Sequence, residues 1–346
     1  MSQYLSSLGL LLLFFFNWNN STQQEMSTII KQPAQATVGY GSCDYSFKRF
    51  TTTDNYQTET GYFLYEPVDF PANVKANVVV FMHGYGAINP MVYGKWIKHL
   101  VGNGNIVIFP RYQRNILAPA ADLFPINAAT AIKNAIAELV SDSNKHVQPN
   151  LENITFIGHS YGGATAANLA VSYREYEIPK PKAVMLCQPG TGPLKGGRLD
   201  SYEAMDSDIN LVVIVGEQDY IVGDEMGTRV FMTAKNILNK IFIRHVSDSY
   251  GSPAITAMHS EPYCMDADLD NGYRNYTFWR ASRTSKVDVI DYNGYWKIAD
   301  ALMDCTFGSL HCDQVFSPNT PLKNLGHWSD GTAIKPMQVY VMNPSS

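Results

Sequence analysis

The sequence predicts an α/β protein in which helices cover both faces of a mostly parallel central sheet. Short runs of β-branched and aromatic residues recur along the chain, and segments with apolar residues at helical spacing separate them. Strands buried on both faces are continuously apolar, and their alternation with helices is typical of parallel sheets. Ligands bind such folds beyond the carboxyl ends of the strands, so we expect the functional residues there.

The elements follow from the spacing of apolar residues. Two early strands, predicted as antiparallel, cover 47–53 and 62–66. The predicted buried strands share a run of apolar residues and cover 78–82, 106–109, 154–157, 183–186, 211–215 and 241–246, the last of the sheet. The predicted helices cover 91–101, 122–141, 161–173 and 227–238, and one amphipathic helix lies within 293–307.

The composition limits the classes of function. An apolar content of 45% in 346 residues is enough for one large core. The net charge of −5 and the lack of a long basic run argue against nucleic-acid binding. The chain has no phosphate-cradling glycine loop and no zinc-type cysteine spacing, so we expect neither a cofactor nor a metal.

The N-terminus is predicted to be processed. The apolar run 8–16 is too short to span a bilayer and suits a signal peptide, and the polar stretch after it is typical of a linker. We therefore assign 1–36 to a signal peptide and linker, expect a secreted or periplasmic protein without a stable membrane span, and keep a retained anchor or a disordered tail as alternatives. Residues 37–346 are predicted to form one catalytic domain, with an aromatic C-terminal extension from about 263.

The chain has five cysteines, which suits an exported protein because disulfides form in oxidising compartments. Cys305 and Cys312 are close in sequence, so a short disulfide-closed loop is expected. Cys43 and Cys264 are candidates for a second pair, and Cys187 for a buried free thiol. Because the count is odd, at least one cysteine has no partner within the chain.

Residues 154–164 contain the strongest functional signal. An apolar run ends at Gly158, Ser160 follows, and small residues then begin a helix-compatible segment. This is the G-x-S-x-G pattern between a strand and a helix, which places a serine on a sharp turn. Gly158 and Gly162 leave no Cβ to collide in that turn. We interpret Ser160 as a nucleophile; the alternative is an ordinary tight turn.

A serine nucleophile requires an orienting acid and a base, which here should follow the serine in that order. Asp219 comes directly after the predicted strand 211–215 and is our predicted acid. Asp224 and Glu217, in the same loop, are alternatives. The non-catalytic interpretation of Asp219 is that it caps the following helix.

Eight histidines are candidates for the base. His259 lies in the loop after the predicted strand 241–246, where a base can reach the serine, and we predict it as the base. His327 is the alternative. The other histidines precede the acid, lie inside a strand or belong to the C-terminal segment, namely His83, His99, His146, His159, His245 and His311.

Backbone N–H groups are expected to form an oxyanion hole. One comes from Tyr161, directly after the serine, and the other from Tyr85, in the loop that follows the strand 78–82. The ring of Tyr85 is alternatively a wall of the substrate cleft, and the loop is alternatively a plain turn at the end of the strand.

At this point a family resemblance can be stated. The chain resembles the α/β-hydrolase superfamily, particularly its chlorophyllase and cutinase-like polyester hydrolase branch of small serine esterases. The residues that carry the resemblance are His83–Gly86, Gly158–Gly163, Gly216–Asp219 and His259, within roughly 60–262. It implies Ser160 as nucleophile, His259 as base, Asp219 as its partner, and acyl-ester hydrolysis without a cofactor. The segment after His259 departs from compact cutinase-like enzymes.

The expected function is hydrolysis of small or polymeric carboxylic esters through an acyl-enzyme. Alternatives are a serine peptidase or thioesterase with the same three residues, and a catalytically silent binding protein. The acidic stretch Asp266–Gly272 imitates the start of a calcium loop, but its glycine is displaced, so a solvated acidic loop is expected. Aromatic residues of the extension were considered as walls of an acyl site or as packing residues, namely Tyr273, Tyr276, Trp279, Tyr292, Tyr295 and Trp296.

Overall fold

The computed structural model describes residues 29–117, 120–192 and 197–341. The predicted signal peptide within 1–28 therefore lies outside the described residues. Nine strands are found in the described ranges: β1 (Phe50–Asn55), β2 (Tyr62–Pro67), β3 (Ala76–Met82), β4 (Ile106–Pro110), β5 (Pro149–His159), β6 (Ala183–Cys187), β7 (Asn210–Gly216), β8 (Lys240–His245) and β9 (Gln338–Val341). They form one sheet in the order β1-β2-β4-β3-β5-β6-β7-β8-β9.

The centre of the sheet is parallel and its two ends are antiparallel. Strands β4, β3, β5, β6, β7 and β8 run parallel to one another, and β2 and β9 join this block antiparallel on either side. The predicted α/β-hydrolase fold is confirmed. One element differs: β8 is not the last strand, because β9 pairs with it at the edge, and half of β9 is exposed, so its apolar signal is weak.

Helices cover both faces of the sheet. They are α1 (Gly94–Gly102), α2 (Phe124–Ser141), α3 (Tyr161–Ser172), α4 (Glu225–Thr233), α5 (Tyr276–Thr284), α6 (Lys297–Gly308) and the short α7 (Cys312–Val315). The core on one face includes side chains of α1 and α6, and the core on the other includes those of α2, α3 and α4. No helix within the described ranges combines the length and the apolar character needed to cross a bilayer.

The C-terminal extension packs into this arrangement. A π-helical turn, Asp291–Trp296, leads directly into α6. The ring of Tyr295 in this turn lies 5.6 Å from that of Trp96 in α1. The extension therefore supplies one of the helices that cover the sheet and also its last strand.

The cysteines follow the prediction in part. Cys305 and Cys312 form the expected disulfide, which indicates an oxidising compartment. Cys187 is a buried free thiol, as predicted. The pairing of Cys43 with Cys264 is wrong: both are free, because Cys264 is enclosed in the core while Cys43 lies exposed on the surface.

The described end of the predicted linker lies along the body of the protein. The carbonyl oxygen of Ile30 accepts a hydrogen bond from the N–H of Ser252 at 2.8 Å, and that of Lys31 accepts one from Ser329 at 2.9 Å. The side chain of Gln32 donates to the carbonyl oxygen of Pro253. This segment thus connects the loop after β8 to the C-terminal extension.

The strand order positions a crevice. The chain passes from β3 outward to β4 and then returns to β5 on the other side of β3. Such a reversal opens a crevice at the carboxyl ends of the two adjacent strands. Tyr85 follows β3 and Ser160 follows β5, so both predicted residues lie at this reversal.

Candidate active site

Ser160 sits on the sharp turn between β5 and α3. Its backbone has φ 56° and ψ −121°, a region that non-glycine residues rarely adopt and that is typical of constrained functional positions. A Cβ on Gly158 would overlap the carbonyl oxygen of Gly162, and a Cβ on Gly162 would overlap that of Met82 at the end of β3. The two glycines are therefore required by close backbone contact.

Ser160, His259 and Asp219 are brought together in one hydrogen-bonded relay. His259 Nε2 lies 2.9 Å from Ser160 Oγ, and its Nδ1 lies 2.7 Å from Asp219 Oδ2. The three residues are all buried. Since a carboxylate only accepts, Nδ1 carries the proton and donates to Asp219, which leaves Nε2 free to accept from the serine hydroxyl.

Asp219 is fixed by its own loop. Its Oδ1 accepts hydrogen bonds from the N–H groups of Ile221 at 3.0 Å and Val222 at 3.1 Å. It does not cap the helix that follows, because Asp224 holds the N-cap position of α4. The carboxylate is thus oriented toward the imidazole of His259.

The alternative acids and base have other partners. Asp224 pairs with Arg244 at 2.5 Å, and Glu217 accepts a hydrogen bond from the N–H of Ser247 at 2.9 Å. His327 lies exposed in the C-terminal extension, where it forms an isolated bridge with Ala333. None of the three contacts Ser160.

The loop after β3 leaves one N–H directed to no described partner. The N–H of Gly84 donates to the hydroxyl of Tyr93, and that of Gly86 donates to Gln113 Oε1, each at 2.8 Å. Among the hydrogen bonds of the described residues, the N–H of Tyr85 between them is not a donor. Tyr161 begins α3, so its N–H belongs to the first turn of that helix. Both are backbone N–H groups, the kind of donor that forms an oxyanion hole.

A cavity of about 400 Å³ opens beside the relay. Ser160 and His259 line it, and most of its remaining wall is aromatic, aliphatic or glycine. The other lining residues are Tyr85, Ile116, Tyr161, Gly190, Thr191, Gly192, Ile221, Val222, Tyr263, Tyr276, Thr277 and Arg280. The volume and the apolar wall suit a small organic ligand.

His159 connects the relay to the loop after β3. Its Nε2–H donates to the carbonyl oxygen of His259 at 2.9 Å, and its Nδ1 accepts from the hydroxyl of Tyr93 at 2.9 Å. That hydroxyl accepts the N–H of Gly84. This assignment satisfies every donor in the chain of bonds and requires a neutral imidazole. Burial, together with the neighbouring His259, holds the pKa of His159 well below its usual value.

A buried acidic group lies two residues after the base. Glu261 accepts a hydrogen bond from the hydroxyl of Thr256 at 2.5 Å, and its Oε2 lies 3.3 Å from Lys286 Nζ. Lys286 also pairs with Asp288 at 3.0 Å. Burial raises the pKa of Glu261 to about 7 against the attraction of Lys286.

Two aspartates of the acidic stretch that imitates a calcium loop form ion pairs with lysine and arginine side chains. Asp266 is buried and lies 2.9 Å from Lys95 and 2.8 Å from Lys98, so the expectation of a solvated loop is wrong at this residue. Asp270 pairs with Arg274 at 2.6 Å. Within the described ranges, no group of three or more His, Cys, Asp or Glu residues is arranged to hold a metal ion.

The aromatic residues of the extension divide between two roles. Tyr276 lines the cavity beside Ser160, whereas Tyr295 and Trp296 are buried in the core. Trp296 packs against His99 of α1, with 4.9 Å between ring centroids. No local sequence pattern marks Tyr93 or Arg280. The first is recognised only by its contacts, and the second only by its place on the cavity wall.

The parallel sheet, the strand order and the strained serine turn define this protein as an α/β-hydrolase. Within that class, a family model described as Chlorophyllase matches residues 68–215. This segment of the chain is therefore similar to the chlorophyllase family. The matched segment contains Tyr85, Ser160 and Tyr161 but ends before Asp219 and His259, so the assignment of these last two rests on geometry.

Curated relatives cover a similar part of the chain. "Chlorophyllase-1, chloroplastic" from Citrus unshiu and the protein of the same name from Citrus sinensis are each 29% identical over 143 residues, 40% of this chain and 41% of each relative. "Probable carboxylesterase M8" from Phoma sp. is 28% identical over 115 residues, 31% of this chain and 36% of that protein. The chain therefore matches about two fifths of the length of these relatives.

Proposed function

We propose that this protein is a serine hydrolase that cleaves carboxylic esters through an acyl-enzyme intermediate. The observation that carries the proposal is the relay in which His259 lies 2.9 Å from Ser160 Oγ and 2.7 Å from Asp219 Oδ2. A nucleophile, a base and an orienting acid in this geometry form the arrangement that acyl transfer needs. The adjoining apolar cavity provides room for the substrate.

The proposed reaction starts with attack of Ser160 Oγ on the ester carbonyl carbon while His259 Nε2 takes the hydroxyl proton. The N–H groups of Tyr85 and Tyr161 stabilise the oxyanion, and each such donor contributes roughly 2.7–4 kcal/mol in a comparable site. His259 then protonates the leaving alcohol, which leaves an acyl ester on Ser160. Water, deprotonated by the same imidazole, releases the acid. Asp219 stabilises the imidazolium throughout.

The relatives favour an ester over other acyl substrates. Their names are those of a chlorophyllase and a carboxylesterase, and the family model covers the loop after β3 and the serine turn. We therefore propose small-molecule esters as the substrate class. A panel of matched 4-nitrophenyl esters, thioesters and anilides ranks this class against the thioesterase and peptidase alternatives.

Two measurements on the full-length protein test the proposal. A fluorophosphonate probe is expected to label Ser160, identified by peptide mass spectrometry, and Ser160→Ala is expected to reduce hydrolysis of 4-nitrophenyl butyrate by several orders of magnitude. Ser172→Ala, at the far end of α3, is the matched control and should keep both labelling and turnover. Full activity of Ser160→Ala would refute the nucleophile, and absence of labelling with absence of turnover would favour a silent binding protein.

We further propose that the protein is exported. The apolar run 8–16 has the length of the apolar core of a signal peptide, and the Cys305–Cys312 disulfide fits an oxidising compartment. Expression with the native N-terminus and sequencing of the mature protein tests this. A mature chain that retains residues 1–16 inside the cell would contradict it.

A further inference from the structure

The described wall of the cavity beside Ser160 contains one cation that the proposed ester mechanism does not use. Arg280, on α5, lines this cavity together with the catalytic candidates. The described wall contains no Asp or Glu. The two undescribed stretches within the body, 118–119 and 193–196, contain no acidic residue either. Apart from the relay, Arg280 is therefore the charged residue of the described wall, which otherwise consists of aromatic, aliphatic, glycine and threonine residues.

Arg280 has no partner for its charge. Among the described residues, its guanidinium makes no ion pair and no hydrogen bond, although the side chain is partly buried. Arg274, shortly before α5, pairs with Asp270 at 2.6 Å, and Arg111 donates to the carbonyl oxygen of Tyr56 at 2.8 Å. The other arginines that lack a partner, Arg114 and Arg283, are exposed to water. Arg280 alone among the described arginines is withdrawn from water without an acceptor.

The charge of Arg280 acts on two residues beside the relay, His159 and Tyr263. Burial is the main reason why the pKa of His159 is depressed, and the Arg280 charge adds to that effect. It also opposes the rise to about 12 that burial causes in the pKa of Tyr263, another residue of the cavity wall. Because Arg280 lines the same cavity as Ser160, its guanidinium can contact a substrate bound there.

An unpaired guanidinium in an apolar wall has a specific preference. Removing a cation from water is unfavourable unless an anion compensates it. The planar fork of arginine matches a carboxylate with two parallel hydrogen bonds. We propose that Arg280 binds a carboxylate of the substrate, so that the preferred substrates are esters that also carry a carboxylate, such as half-esters of dicarboxylic acids. This inference rests on the proposed esterase function.

Isosteric substrate pairs test the inference on the full-length protein. On the acyl side, 4-nitrophenyl hemisuccinate is compared with neutral 4-nitrophenyl 4-methylpentanoate. On the alcohol side, 4-carboxyphenyl acetate is compared with 4-carbamoylphenyl acetate. The ratio of kcat/KM for the anionic to the neutral ester is measured for the wild type, Arg280→Gln, Arg280→Lys and the control Arg283→Gln.

In at least one pair, the wild type is expected to favour the anionic ester and Arg280→Gln to reduce the ratio by about tenfold to a hundredfold, the range of a charged hydrogen bond. Arg280→Lys should restore part of the ratio, and Arg283→Gln should leave it unchanged. The pair that responds identifies the side of the ester that carries the carboxylate. Equal ratios for the wild type and Arg280→Gln in both pairs, with neutral esters still hydrolysed, would overturn the inference alone.

A binding measurement separates this inference from the esterase proposal. Calorimetry with monomethyl succinate and Ser160→Ala is expected to give binding that Arg280→Gln, added to the same protein, weakens by the same factor. If the wild type hydrolyses no ester but Ser160→Ala shows this Arg280-dependent binding, the proposed function is refuted and the carboxylate site stands. Equal binding to both proteins would refute the site.

Discussion

The Nε2–H of His159 donates a hydrogen bond of 2.9 Å to the backbone carbonyl oxygen of His259. The residue next to Ser160 thereby holds the backbone of His259, a hundred residues further along the chain. Because His159 also accepts from Tyr93, and Tyr93 accepts from Gly84, one buried network joins His259 to the loop after β3. A change at His159 should therefore disturb both ends of this network.

We expect His159→Leu to lower kcat/KM for 4-nitrophenyl butyrate by about tenfold or more, because the carbonyl oxygen of His259 loses its donor and an unpaired buried acceptor costs roughly 1–3 kcal/mol. His159→Gln keeps a donor of similar reach and should recover part of kcat. A purely structural role would lower the melting temperature in both variants without this difference in kcat. Equal kcat for His159→Leu and the wild type would contradict a positioning role.

The turnover rate should depend more on the backbone conformation of the loop after β3 than on the Tyr85 side chain. Gln113 accepts the N–H of Gly86 at 2.8 Å and is buried, so Gln113→Leu leaves that N–H without its partner. We expect kcat to fall about tenfold or more in Gln113→Leu, from a loss of roughly 1–3 kcal/mol. Tyr85→Phe removes only the bond from its hydroxyl to Ile116 and should cost less. Steady-state kinetics that reverse this order would contradict the assignment.

Glu261 should make stability depend on pH. Its pKa is raised by burial from 4.5 in the unfolded chain to about 7 in the folded protein. The folded state then binds more protons between these values, so the free energy of unfolding falls as pH rises from about 4.5 to 7. At 1.36 kcal/mol per pH unit, the loss is on the order of 3 kcal/mol.

Chemical denaturation at several pH values, for the wild type and Glu261→Gln, measures this effect. The difference between the two proteins isolates Glu261, because all other titrating groups are common to both. The comparison is needed because neutral buried histidines change the stability of the wild type in the opposite direction. Burial lowers the pKa of His83 to about 4 and that of His245 to about 3, so they destabilise the fold as pH falls below 6.5. A difference that stays constant from pH 4.5 to 7 would contradict the prediction.

The C-terminal extension should unfold together with the sheet. Leu302 of α6 is fully buried in the core on one face of the sheet. We expect Leu302→Ala to lower the free energy of unfolding by roughly 2–5 kcal/mol. Gln314→Ala, exposed in α7, is the control. Thermal denaturation followed by circular dichroism should give one transition that shifts as a whole, whereas two transitions, of which only one shifts, would indicate an independent extension.

The parts that sequence predicts well are those with local signals. The buried strands are continuous apolar runs, and Ser160 is marked by glycines that the turn itself requires. Asp219 and His259 could be chosen because they follow two adjacent parallel strands, whose ends must be neighbours. The structure brings the same three residues together.

The parts that sequence does not predict depend on distant contacts. His159 precedes the predicted acid, so the order of residues argues against it as the base, and its hydrogen bond to His259 is visible only once the loop after β8 is placed. Arg280 lies on a helix of the extension, and no local pattern indicates that it faces Ser160. β9 was missed because an edge strand is only half buried. The partner of a cysteine cannot be deduced from one sequence, which is why Cys43 and Cys264 were paired wrongly.

The two outer strands decide how the sheet meets other molecules. An open strand edge is a template for pairing with another chain, and long apolar edges promote aggregation. Here the apolar parallel strands are all interior, and the borders are β1, rich in threonine and largely exposed, and β9, only four residues long. The protein thus presents polar or short borders to its neighbours, which favours a dispersed state even at high concentration.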